Sequence, residues 1–173
     1  MSELAELIRD QALVRGRFTL ASGATSDHYF DLRRISLHPR GAQLIGDAII
    51  DYAGEWVYDA VAGLALGAVP VALAAMTAAR DRGRQVPALI IRKEPKQHGL
   101  RRRIEGGDVR DKRILIVEDT STTGDSTLIA VDAVREAGGT VAGVLLLVDR
   151  GGAEAISAAG IAVRSVFSAA DLL

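Results

Sequence analysis

A chain of 173 residues is close to the usual size of one domain and buries roughly two-thirds of its unfolded surface on folding. Apolar residues make up 49% and charged residues 25%, which excludes a disordered chain and interrupts any apolar run long enough to span a bilayer. The formal net charge of −1 provides no global field toward nucleic acid or an anionic membrane, so any anion site is local.

Cysteine is absent, which removes a disulfide frame, a thiolate nucleophile and a Cys-based zinc site. The segment Met1 to Leu7 is acidic and amphipathic and lacks the basic start of a signal peptide, so a cytoplasmic location is expected.

In chain order, Leu4, Leu7, Ile8 and Ala12 fall at helical spacing, and Gly16 reads as a stop. Residues Arg17 to Leu32 read as two short strands about a polar turn at Ser22-Gly23. From Pro39 to Ala53 the positions Leu44, Ile45, Ala48 and Ile49 predict a helix, with Pro39 in its first turn. Four nearly continuous apolar runs follow: Asp59 to Leu64, Ala88 to Arg92, Arg113 to Val117 and Val141 to Val148. Such runs suit strands covered on both faces.

Helical patterns over Val69 to Arg82, Ser126 to Ala137 and Gly152 to Ala159 separate or follow them, and a last strand is predicted at Ile161 to Val166 before a turn capped by Ser168. The alternation predicts an α/β fold: a mostly parallel, five-stranded sheet flanked by helices, within a single domain over 1–173. In such sheets ligands sit beyond the carboxyl ends of the strands.

One of those ends is chemically dense. Ile114 to Val117 delivers Glu118 and Asp119, then Thr120, Ser121, Thr122, Thr123, Gly124, Asp125 and Ser126, into a helix. Hydroxyls and free N–H groups at a helix start suit a phosphate, and Gly124 permits a close backbone approach. Two carboxylates repel phosphate but accept hydrogen bonds from ribose hydroxyls. The chain has neither a P-loop nor a G-x-G-x-x-G fingerprint.

This segment resembles the phosphoribosyl diphosphate motif of type I phosphoribosyltransferases. Three further segments narrow the resemblance to the orotate phosphoribosyltransferase family. They are Phe18 to Gly23 with His28-Tyr29-Phe30-Asp31, then Arg92-Lys93-Glu94-Pro95-Lys96-Gln97-His98-Gly99, and Leu147-Val148-Asp149-Arg150.

The resemblance implies the type I fold with a small N-terminal hood over about residues 1–35 and a mobile loop over 96–108. It implies transfer of 5-phosphoribosyl from 5-phosphoribosyl 1-diphosphate (PRPP) to orotate, with inversion through an oxocarbenium-like centre, in UMP biosynthesis. Arg92, Lys93, Lys96 and His98 then face the diphosphate, and Lys96, His98 and Asp119 are the catalytic group. Glu118, Asp119 and residues Thr120 to Ser126 hold the ribose phosphate. Tyr29, Phe30, Thr122 and Arg150 meet orotate, Arg150 at its carboxylate. Strand alternation would put Tyr29 and Phe30 on opposite faces, so one of them is open to being core.

Mg²⁺ is expected to arrive on the sugar substrate, with no direct protein ligand and with Glu118 and Asp119 nearby. A homodimer with shared active sites is implied, without nucleic-acid or membrane partners. The sequence departs from many relatives at Ala21 and Gly67, where a lysine usually stands. His28 and His38 are given no chemistry, and Trp56, Tyr58 and Met76 read as core or interface. The competing readings are a phosphoribosyltransferase for another base and a nucleotide-sensing regulator of the same fold that binds RNA or DNA.

Overall fold

The structure is a computed structural model that describes residues 2–19, 25–94 and 103–173. Helix α1 (Glu3–Leu7) starts at Ser2, whose hydroxyl accepts from the Ala5 N–H, and runs into a π-helical turn over Ile8–Ala12. The helix therefore ends well before Gly16, because the chain is already extended from Leu13. Strands β1 (Leu13–Thr19) and β2 (Thr25–Phe30) form a separate antiparallel pair, the expected hood hairpin. A short helix, α2 (Arg33–Ser36), that sequence periodicity did not suggest follows it.

The rest of the chain alternates strand and helix. Helix α3 (Pro39–Ala53) has Pro39 at its start and buries Ile45, Ile49 and Ala53. Then come β3 (Ala60–Leu64), α4 (Ala68–Asp81), β4 (Ala88–Ile91), β5 (Ile104–Glu105), β6 (Arg113–Ser121), α5 (Asp125–Glu136), β7 (Thr140–Asp149), α6 (Gly152–Ala158), β8 (Val163–Ser168) and α7 (Ala169–Leu172). Ser168 caps α7 with a reciprocal Ser168–Asp171 pair.

The main sheet has the order β5-β4-β3-β6-β7-β8. The five predicted strands are parallel, and the sixth is the two-residue β5, antiparallel to β4 at the edge. Residues 104 and 105, inside the stretch expected to be mobile, are thus tied to the sheet.

Alternating side chains send each strand into two cores. Leu115, Val117, Leu145 and Leu147 pack with α1, α3 and α4, whereas Ile114, Ile116, Val144 and Leu146 pack with α5 and α6. Burial on both faces explains why these strands read as continuous apolar runs. Tyr58 is buried, with Arg84 donating to its hydroxyl at 2.9 Å, and Trp56 lies against Gly143 and under the Arg164 guanidinium. These placements match the core reading of both aromatics.

Candidate active site

Strand β6 continues four residues past its apolar run, so Glu118 to Ser121 are still strand where a loop was expected. Pairing with β7 as far as Ser121↔Asp149 holds this extension. Alternation then separates the two acidic residues. Glu118 is only 5% exposed, and its carboxyl accepts from the Asp119 N–H at 3.3 Å and from Thr127 Oγ1 at 3.5 Å. Asp119 is half-buried, its carboxylate fixed by the Thr120 N–H at 2.7 Å. Burial, and secondly the charge of Asp119, push the Glu118 carboxyl up to about 8. The pair is therefore a half-buried carboxyl at the tip backed by a buried one whose neutral form is favoured.

Beyond the tip, Ser121 is buried, and its carbonyl accepts from the Arg150 N–H at 2.8 Å. Thr122 and Thr123 are exposed, and Thr123 Oγ1 donates to Asp125 at 2.9 Å. Gly124 turns the chain into α5 at a φ of 83°, a left-handed value natural to glycine. The first N–H groups of α5 lack intrahelical acceptors by construction, and the helix dipole is positive there. Gly152 brings the start of α6 against this loop: a Cβ on it would stand 2.1 Å from Ser121 Oγ. Asp149 fixes the same junction by accepting from the N–H groups of Gly151 at 2.9 Å and Ala153 at 3.1 Å.

The turn after β3 flanks the tip on the other side, since β3 pairs with β6 as far as Gly63↔Val117. Gly67 lies directly on the Asp119 carboxylate, and a Cβ there would be 2.6 Å from Oδ2. Gly67 is thus a close packing partner of the acid at the tip.

The hood reaches the same edge through Arg150, whose guanidinium carbon lies 5.8 Å from the Phe30 ring centroid. Phe30 is buried in the larger core and also meets the His28 ring at 5.6 Å. Tyr29 faces out, 37% exposed, with its ring 5.8 Å from that of Phe18. The alternation separates the aromatic pair: Tyr29 faces out, whereas Phe30, expected to meet the base, is buried and lies beneath Arg150.

Arg33 opens α2, just after the hood hairpin. Its Nε donates to Asp31 at 3.1 Å. That hydrogen bond and the Asp31 charge raise its pKa, with further contributions from Tyr29 and Asp119. Thr127 was missed; a buried threonine one turn into α5 is recognisable only once Glu118 is known to point at it.

At the end of β4, Arg92 is paired with Glu105, its N–H donates to the Arg103 carbonyl at 2.8 Å, and Lys93 is exposed. Lys96, His98 and Ala21 lie outside the described residues. Among the described residues no cluster of three or more His, Cys, Asp or Glu is placed to hold a metal.

Residues 32–162 match the phosphoribosyl transferase domain, the class to which the sheet order and the strand-tip loop belong. An orotate phosphoribosyltransferase of Mycobacterium avium is 53% identical over 174 residues, covering 99% of this chain and 96% of that protein. One of Corynebacterium glutamicum is 51% identical over 173 residues, covering 99% and 92%. Among solved structures, Mycobacterium tuberculosis orotate phosphoribosyltransferase in complex with PRPP aligns at a TM-score of 0.83 and 48% identity, covering 98% of this chain and 96% of that one. The chain belongs to the orotate phosphoribosyltransferase family.

Proposed function

We propose that this protein transfers 5-phosphoribosyl from PRPP to orotate, giving orotidine 5′-phosphate and diphosphate for UMP synthesis. The observation that carries the reading is the β6 tip. It presents the Asp119 carboxylate, then hydroxyls and the α5 N-terminus, with Arg150 at the tip of the adjacent strand.

In this reading the 5-phosphate sits on the N–H groups and hydroxyls of residues Thr120 to Ser126. Asp119 accepts hydrogen bonds from the ribose, while Glu118 supports it from behind through Thr127 and the Asp119 N–H. Orotate lies between Tyr29 and Arg150, with Thr122 at its edge. The planar guanidinium matches a carboxylate in a way that uracil or a purine cannot use. Phe30 orients Arg150 from beneath.

Breaking the bond to diphosphate places positive charge on the sugar and negative charge on the leaving group. Lys93, Lys96 and His98 neutralise the latter, Arg92 reinforces them from the end of β4, and His98 is suited to deliver a proton. Mg²⁺ arriving on PRPP screens the diphosphate. In this reading Asp119, half-buried at the tip, would face the hydrated ion that the substrate carries. Closure of the loop over 96–108 excludes water from the activated sugar.

The homodimer is part of the same proposal. A groove of about 550 Å³ between α2, α3 and α4, lined by Leu37, Pro39, Ala42 and Leu73, contains the buried Ser36 hydroxyl, which has no partner among the described residues. Leu66, in the turn beside Asp119, is also 74% exposed. In this reading a second copy covers the groove. No described helix is long and apolar enough to cross a membrane, and the cysteine-free composition supports work in the cytoplasm.

The test is direct: purified protein, Mg²⁺, PRPP and orotate are mixed and the loss of orotate absorbance is followed, with uracil and hypoxanthine as competing acceptors. Turnover confined to orotate supports the reading. Turnover of hypoxanthine or uracil in its place contradicts it.

A further inference from the structure

The functional reading sets Arg150 against the carboxylate of the acceptor base, so selectivity depends on how firmly that side chain is aimed. Arg150 stands just past the end of β7, where the chain turns into α6. The peptide groups on both sides of it are held. Its own N–H donates to the Ser121 carbonyl at 2.8 Å, across the β6–β7 pair. The next N–H, that of Gly151, donates to Asp149 Oδ1 at 2.9 Å, and the same oxygen accepts from the Ala153 N–H at 3.1 Å.

One carboxylate oxygen therefore ties the residue before Arg150 to the residue after it and to the first turn of α6. Gly151 accommodates this closure at a φ of 112°, a value natural to glycine. Gly152, without a Cβ, lets α6 settle directly on the buried Ser121. The Phe30 ring, 5.8 Å from the guanidinium carbon, meets Arg150 at the far end of its side chain. The arginine is thus fixed at its root by Ser121 and Asp149 and at its head by the hood.

We propose that Asp149 is a positioning residue: by holding the N–H groups of Gly151 and Ala153 it aims the Arg150 guanidinium at the acceptor's carboxylate. It thereby sets the preference for an anionic base without touching substrate. The inference rests on the functional reading given above. A bidentate guanidinium–carboxylate pair requires the two planar groups to lie in register, so a small rotation at the root of Arg150 loses one of its two hydrogen bonds. The role calls for an acceptor oxygen at this point and not for its negative charge.

The experiment measures steady-state kinetics and melting curves for wild type, Asp149→Ala, Asp149→Asn, Asp149→Glu, Arg150→Ala and the double variant Asp149→Ala/Arg150→Ala. Asp149→Ala is expected to raise KM for orotate about tenfold, with KM for PRPP changed by less than about twofold. Asp149→Asn, whose amide oxygen accepts from the same two N–H groups, recovers most of the loss. In the Arg150→Ala background Asp149→Ala adds less than about twofold, since the side chain it aims is gone; a merely structural role would give independent, additive effects. If Asp149→Ala does not fold, Asp149→Glu carries the test, because it keeps the charge, displaces the oxygen by one methylene and should raise KM for orotate severalfold. Unchanged KM for orotate in the folded variant, an equal rise for PRPP, no recovery in Asp149→Asn, or the same effect with and without Arg150 overturns the inference and leaves the functional reading intact. Wild-type protein inactive with orotate, or Arg150→Ala with unchanged KM for orotate, removes that reading of Arg150 and the inference with it.

Discussion

Glu118 and Asp119 are adjacent in sequence and chemically alike, yet one is buried beside Thr127 and the other faces the site. The folded protein favours the neutral form of Glu118, so its contribution to stability is present at pH values below the normal carboxyl range. It is lost as pH rises from the ordinary carboxyl value of 4.5 through about 8. Glu118→Gln should therefore melt above wild type at pH 9 and close to it at pH 5, which calorimetry at the two pH values checks. Arg150→Ala should raise KM for orotate by roughly a hundredfold, and Arg150→Lys should restore little, because an ammonium cannot make the bidentate pair. Gly67→Ala drives a methyl group onto Asp119, and PRPP use should fall by about ten- to a hundredfold with the melting point little changed. At this scale the sequence showed residue types but not directions. The motif named Asp119, Arg150 and the hydroxyls, which the structure gathers at adjacent strand ends, whereas the burial of Glu118 and the inward face of Phe30 depend on strand register and on a hairpin that packs far from its neighbours in sequence.

Among the elements, β6 positions the chemistry. Its apolar run to Val117 was legible because both faces are covered, but its continuation to Ser121 was not, since polar residues read as loop. What keeps them in strand is pairing with β7, a contact between segments more than twenty residues apart. The helix boundaries were easier to read: Pro39 and Ala53 delimit α3 as periodicity predicts, and Ser168 caps α7. Helix α2 escaped notice because four residues are too short to show a period. The turn at Gly124 makes a local prediction. With a φ of 83° and the Gly152 carbonyl 3.1 Å from any added Cβ, Gly124→Ala should cost about 1–2 kcal/mol from left-handed backbone alone and lower Tm measurably. It should also weaken PRPP binding, because the N–H groups that follow would be turned away from the phosphate.

Over the whole molecule, the sheet order β5-β4-β3-β6-β7-β8 puts the tips of β3, β6 and β7 side by side, and the hood hairpin reaches the same edge through Phe30. Right-handed crossovers make the parallel order predictable in outline, while the short antiparallel β5 and the π-helical turn after α1 have no periodic signature. The apolar groove between α2, α3 and α4 leads us to expect a dimer at micromolar concentration; Leu73→Arg should shift sedimentation toward the monomer and lower activity with it. The account as a whole depends on where the activated sugar sits. A crystal of the protein soaked with PRPP and Mg²⁺ should show the 5-phosphate on residues Thr120 to Ser126 and the ribose hydroxyls within hydrogen-bond distance of Asp119. Density for the sugar at any other strand end, with the β6 tip left bare, would contradict it.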